Sequence, residues 1–246
     1  MFILYDNLLD DATLTIPDEN LYYGADNLQD TRLSKYYRSN TLSSNIVIDL
    51  GSAKQVTSFF VVDHTFTSSA VVKIQANTTD SWTTPAFELT LSITDYILYD
   101  FSFDETYQFW RLEFADPTNP EFVRIGRIML GVPLSGLYME PDQVFSVKTT
   151  TETATNRTGQ TFVKKGYAYK NNTINIKNIS HDKEAEIHAM FFANSNSNPV
   201  ILVIYENDTI KKPPVYCFIT NEGADLQNQV DLINPYKTSF QFRQTF

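Results

Sequence analysis

The sequence predicts an all-β chain, and three observations carry that expectation. It holds 18 Phe and 14 Tyr against only 8 Gly, with a dense scatter of Asn and Thr. Aromatic and β-branched side chains fit pleated, half-buried surfaces. Short apolar runs also recur at about ten-residue spacing through the first half, split by turn residues, which is the rhythm of a sandwich or barrel. With 246 residues, 42% of them hydrophobic, the chain can bury one large core or two ordinary ones.

The elements follow in order. Ala25 to Lys35 has helical flavour but is short and turn-rich. Ile46 and Ile48 alternate with Val47 and Asp49, and Gly51-Ser52 marks a turn before the apolar stretch Val56 to Val62. That pattern predicts paired strands, or a strand leading into a core loop. Strands are then expected at Val71–Gln75, Phe87–Leu91, Tyr96–Phe103, Phe109–Phe114 and Phe122–Leu130, with a polar loop at Asn77–Thr84. The rhythm changes between Gly131 and Glu140, where Pro133 and Pro141 bracket a stretch suited to a boundary. The chain therefore divides into residues 1–133 and 134–246.

In the second part, residues 148–161 (KTTTETATNRTGQT) predict an extended loop or arm. Thr150, Thr153 and Asn156 are its candidate assembly contacts; a solvated loop is the alternative. Such polar segments often order against a neighbouring chain. Strands are expected at Phe162–Lys170, Thr173–Ile179, Val200–Tyr205, Val215–Thr220 and Thr238–Phe242. Ser180 to Asn194 predicts the longest helix, with Ser180 or Asp182 to cap it and Ile187, Met190 and Phe191 as an i, i+3, i+4 stripe.

Composition narrows the function. A net charge of −10 and a pI near 4.7 leave no cationic surplus for nucleic-acid phosphates. Met1 to Leu14 has neither the basic start nor the long apolar run of a secretory signal. Val200 to Tyr205, the longest apolar run, is far too short to span a bilayer. A single cysteine, Cys217, excludes an internal disulfide and suits a small buried hydrophobe. No phosphate loop or nucleophile elbow is present, so no catalysis, cofactor or metal is expected. His181, Glu184 and His188 share one helix face without zinc-protease spacing and read as a partly exposed surface. His64 follows Asp63 at a strand end; neighbours in a strand point oppositely, so a structural hydrogen bond is expected rather than a catalytic dyad.

Four motifs in order resemble a discoidin-like domain of the galactose-binding jelly-roll class. They are Gly24-Ala25-Asp26-Asn27-Leu28-Gln29-Asp30, Tyr36-Tyr37-Arg38-Ser39, Ile46-Val47-Ile48-Asp49-Leu50-Gly51, and Phe109-Trp110-Arg111-Leu112 with Ile125-Gly126-Arg127-Ile128. Tyr37 stands where Trp is common in that class, and Phe109-Trp110 replaces its usual aromatic pair. The wording of NLLDDATLT, DNLQDTRLSKYYRS and Ile125 to Gly131 is similar to a group of tailed-bacteriophage virion proteins. In that group the jelly roll precedes a smaller β-rich domain of tail-hub type, compatible here with residues 134–246 and their helix 180–194.

The resemblance implies a structural component of a tail tip, hub, baseplate or fibre adaptor. It would be made in the host cytoplasm and located in the virion tail. Its partners would be other tail proteins and copies of itself in a homo-oligomeric ring. The alternative is a lectin-like module that recognises host-surface carbohydrate. Tyr22, Tyr23 and Trp82 are then the candidate loop-tip contacts, with packing as the competing role for Trp82. Arg38 is expected to be structural, its guanidinium stacked on a ring or bridging carbonyls in a core turn.

Overall fold

The computed structural model describes residues 1–17, 20–140, 144–149, 152–155, 160–164, 168–194, 198–206, 209–210, 213–221, 227–228 and 236–244. In chain order the strands are β1 (Phe2–Leu4), β2 (Thr13–Thr15), β3 (Tyr37–Arg38), β4 (Ser43–Val56), β5 (Ser58–His64), β6 (Val71–Asn77), β7 (Phe87–Leu91), β8 (Ile97–Asp100), β9 (Glu105–Ala115) and β10 (Arg124–Gly131). There follow β11 (Tyr138–Met139), β12 (Val144–Thr149), β13 (Glu152–Thr155), β14 (Thr161–Lys164), β15 (Ala168–Ile179), helix α1 (His181–Asn194) and β16 (Pro199–Val203). The last are β17 (Tyr205–Glu206), β18 (Thr209–Ile210), β19 (Val215–Ile219), β20 (Gln227–Asn228) and β21 (Tyr236–Gln244). The chain is all-β, with a sandwich and a second β-rich unit that carries its one α-helix among the described residues.

Contacts divide it into Asp6–Pro133 and a second unit made of Leu134–Phe246 with Met1–Tyr5. The first five residues, expected in the first domain, belong to the other unit. Their backbone decides this: β1 pairs antiparallel with β16, Phe2 opposite Val203 and Leu4 opposite Ile201.

In the first unit a five-stranded sheet (β2-β4-β9-β6-β7) faces a four-stranded sheet (β3-β10-β5-β8), every neighbour antiparallel. Alternation makes the sandwich. On β9, Trp110, Leu112 and Phe114 are buried, while Arg111 and Glu113 point outward. Ile46, Ile48, Val72 and Ile74 join them from the same sheet, and Tyr37, Phe59, Val61, Ile125 and Ile128 meet them from the other. The expected turn at Gly51-Ser52 is a bulge instead. Residues on both sides pair with β9, Asp49 opposite Phe109 and Lys54 opposite Tyr107. Gly51 permits this by adopting φ +72° while its N–H donates to Asp49 Oδ1 at 2.8 Å. The helical flavour at Ala25 becomes a 3-10 helix, Ala25–Gln29.

The second unit centres on a sheet in the order β1-β16-β19-β21-β15-β11, with β12 also on β15 and β20 on β21. Helix α1 buries Ile187 and Met190 in a cluster with Ile174, Ile176, Cys217, Phe240 and Phe242. Ser180 starts the helix, its hydroxyl accepting from the Lys183 N–H at 3.3 Å. Cys217 is buried, and burial pushes its thiol up. In the stretch expected as an arm, β13 pairs with β14 as an antiparallel hairpin, with Thr153 opposite Val163. Thr150 and Asn156 lie outside the described residues.

Candidate functional site

One end of the four-stranded sheet gathers the aromatic and cationic side chains. The Asn20 side-chain oxygen accepts from the N–H groups of Tyr22 and Tyr23 at 3.0 and 3.2 Å, closing a tight turn. The turn leaves Leu21 and Tyr22 projecting, 90% and 83% exposed. Tyr23 turns back and stacks on Tyr36, with ring centroids 4.9 Å apart and planes 9° apart. A hydrogen bond with Tyr23 is the first cause that pushes the Tyr36 phenol up.

Strand alternation then places the charges. Tyr37 points into the core, so Arg38 points away from it. Its guanidinium lies 4.7 Å from the Phe122 ring centre and 5.6 Å from that of Tyr23, and the Arg38 backbone N–H donates to the Tyr23 carbonyl at 3.1 Å. Arg124 stands directly opposite Arg38 across the β3–β10 pair. Its guanidinium covers Tyr36 at 5.0 Å and pairs with Asp63 at 3.0 Å. Like charges directly opposite are destabilising in an antiparallel pair. Here one carboxylate and three aromatic rings hold them together. Asp63 itself sits at φ +53°, a strained setting for a residue other than glycine.

His64 lies beside this end but faces inward. Its Nδ1 accepts from the Phe66 N–H at 3.2 Å, so the ring is a buried structural acceptor, and Asp63 is taken by Arg124. Burial pushes its pKa down. On α1, Glu184 lies 3.0 Å from His181 and 3.9 Å from His188, and no group of His, Cys, Asp or Glu suited to a metal occurs among the described residues.

Trp82 is not part of this cluster. It lies in the β6–β7 loop, and its ring covers Arg111 of the five-stranded sheet at 4.7 Å. Sequence reasoning named Tyr22, Tyr23, Arg38 and Trp82 but missed Tyr36, Phe122, Arg124 and Arg111. For Arg111 the alternation on β9 was the available signal: a cation flanked by the core residues Trp110 and Leu112 must stand on the outer side.

Neither a protein-family model nor a curated protein sequence matches this chain. Several solved structures are similar to it over about half its length. Chitosan-binding module 1 of a chitosanase/glucanase from Paenibacillus sp. IK-5 aligns with TM-score 0.42 and 16% identity, over 52% of this chain and 99% of that one. CpGH89CBM32-6, produced by Clostridium perfringens, gives 0.40 and 16%, over 51% and 98%. The lectin binding domain of lectinolysin, in complex with Lewis b, gives 0.43 and 9%, over 51% and 94%. These are likenesses of shape only. The chemistry of this chain rests on its own residues.

Proposed function

We propose that this chain binds carbohydrate without catalysing its breakdown, through the end of the sandwich that carries Tyr22, Arg38, Phe122 and Arg124. The carrying observation is the pair of opposed guanidiniums set among aromatic rings, with Tyr22 and Phe122 still exposed to solvent. Ring faces stack on the apolar face of a pyranose, and guanidinium N–H groups donate to its hydroxyl or carboxylate oxygens. The net charge of −10 argues against a polyphosphate ligand. The role in a bacteriophage tail rests on the sequence resemblance alone. Glycan recognition takes the leading place because the exposed rings and the opposed guanidiniums supply the chemistry for it.

The test is a glycan array probed with the purified chain, followed by titration of the best sugar. Tyr22→Ala and Arg38→Met are expected to weaken binding about tenfold or more, as truncating an interface anchor does. No retained glycan, or unchanged affinity in both variants, overturns the reading.

A further inference from the structure

The outer face of the five-stranded sheet carries a second arrangement that the loop cluster does not use. Its centre is Trp82, whose ring is fixed on two sides. Arg111 covers one face at 4.7 Å, and the indole Nε1 donates to Asp80 Oδ1 at 2.6 Å. The loop beneath is tied down as well, with Asn77 Nδ2 donating to the Ser81 carbonyl at 2.7 Å. No second ring or cation contact to Trp82 occurs among the described residues. Trp82 is half-buried, so part of the indole stays open to solvent, and that part is held in place before any ligand arrives.

A polar ladder runs from this plate across the strands. Arg111 Nε donates to Gln75 Oε1 at 2.7 Å, and Gln75 Nε2 donates to Glu88 at 2.6 Å and Glu113 at 3.3 Å. Lys73 donates to Glu88 at 2.8 Å, and this bond is the first cause that holds the Glu88 carboxyl below its ordinary value. Gln75 is only 3% exposed, so the ladder has a fixed centre. Lys73 and Glu113 then also line an open cavity of about 330 Å³ with Ser43, Asn45, Val71 and Ala115. From Arg111 to Ala115 along β9 is ~13 Å at the usual strand rise, more than one pyranose ring.

We propose that this face is a second binding platform, distinct from the loop cluster, for an uncharged extended polysaccharide that stacks on Trp82 and reaches the cavity at Ser43 and Asn45. Charge chooses the ligand. Lys73 pairs with Glu88 and Arg111 with Glu113, so the face offers hydrogen-bonding groups without net attraction for a polyanion or an anionic lipid. An aromatic plate beside fixed polar groups suits a sugar ring, which is apolar on its face and polar at its rim. The proposal rests on the glycan-binding reading, yet its residues are separate.

The experiment uses free galactose and chito-, cello- and galacto-oligosaccharides of increasing length, titrated against the full chain by calorimetry and tryptophan fluorescence. The chain holds two tryptophans, and Trp110 is fully buried, so quencher access reports on Trp82. Affinity for one oligosaccharide series is expected to rise with length and to shield Trp82 from acrylamide. Trp82→Ala should cut that long-chain affinity about tenfold or more while leaving monosaccharide binding at the loop cluster unchanged, and Trp82→Phe should restore part of it. Tyr22→Ala should do the reverse. If Trp82→Ala changes nothing while Tyr22→Ala abolishes binding, the second platform is wrong and the loop site stands. If Tyr22→Ala changes nothing while Trp82→Ala abolishes long-chain binding, the loop site is wrong and the platform stands. If no oligosaccharide binds or shields Trp82, the platform is overturned.

Discussion

Arg127 is 1% exposed, and its charge is met by Asp10 at 2.8 and 2.7 Å and by the Gln29 carbonyl at 2.8 Å. Burial pushes the Asp10 carboxyl up despite the opposing pull of the guanidinium. Such a pair contributes little net stability, but removing one partner strands a buried charge. The Asp10 side chain keeps 37% exposure, so water can take over part of its role. Asp10→Ala is therefore expected to cost about 1–3 kcal/mol in urea denaturation, and adding Arg127→Met should recover most of it. His64 sets a pH dependence of definite sign. Burial holds its folded pKa below the ordinary 6.5, so the unfolded chain takes up a proton before the folded one does. Its contribution is complete above that value and is lost as pH falls below it. Melts between pH 7.5 and 5 should show His64→Gln flattening this part of the acid slope.

At the scale of elements, Gly126 of β10 lies tight against β5. A Cβ there would lie 3.0 Å from the Asp63 Cβ and 3.1 Å from the Val62 carbonyl oxygen, which is backbone and cannot swing aside. Gly126→Ala should cost about 1–3 kcal/mol of stability as overpacking does. It should also weaken glycan binding, because Asp63 positions Arg124. Strands such as β6, β7 and β9 were legible in the sequence because their alternation is local. Helix α1 was legible for the same reason, with Ile187 and Met190 one turn apart. The bulge at Gly51 was not, since only the partner strand reveals that both flanks rejoin β9. The strand β1 was also hidden, because three apolar residues carry no period and their partner lies far along the chain. Half of the loop cluster could be read from Tyr22, Tyr23 and Arg38. Arg124 and Phe122 enter it only through the β3–β10 register, which no spacing in the sequence states.

Across the whole molecule, Met1–Tyr5 and Leu134–Phe246 share one core while Asp6–Pro133 builds another. Deleting residues 1–5 should therefore speed amide exchange in β16 and leave β4 and β9 protected, as expected when an edge partner is lost from one cooperative unit only. Equal protection of β16 with and without those residues would show that β1 contributes nothing to that sheet. The same pairing also imposes a schedule during synthesis. Phe2 meets Val203 roughly 200 residues later, so at ordinary ribosomal speeds of ~5–20 residues per second the wait is ~10–40 s. The whole sandwich emerges in that interval. Phe2, Ile3 and Leu4, all buried in the finished protein, must meanwhile remain solvent-exposed or be sheltered by a chaperone. The β1–β16 pair cannot close until β16 has been made.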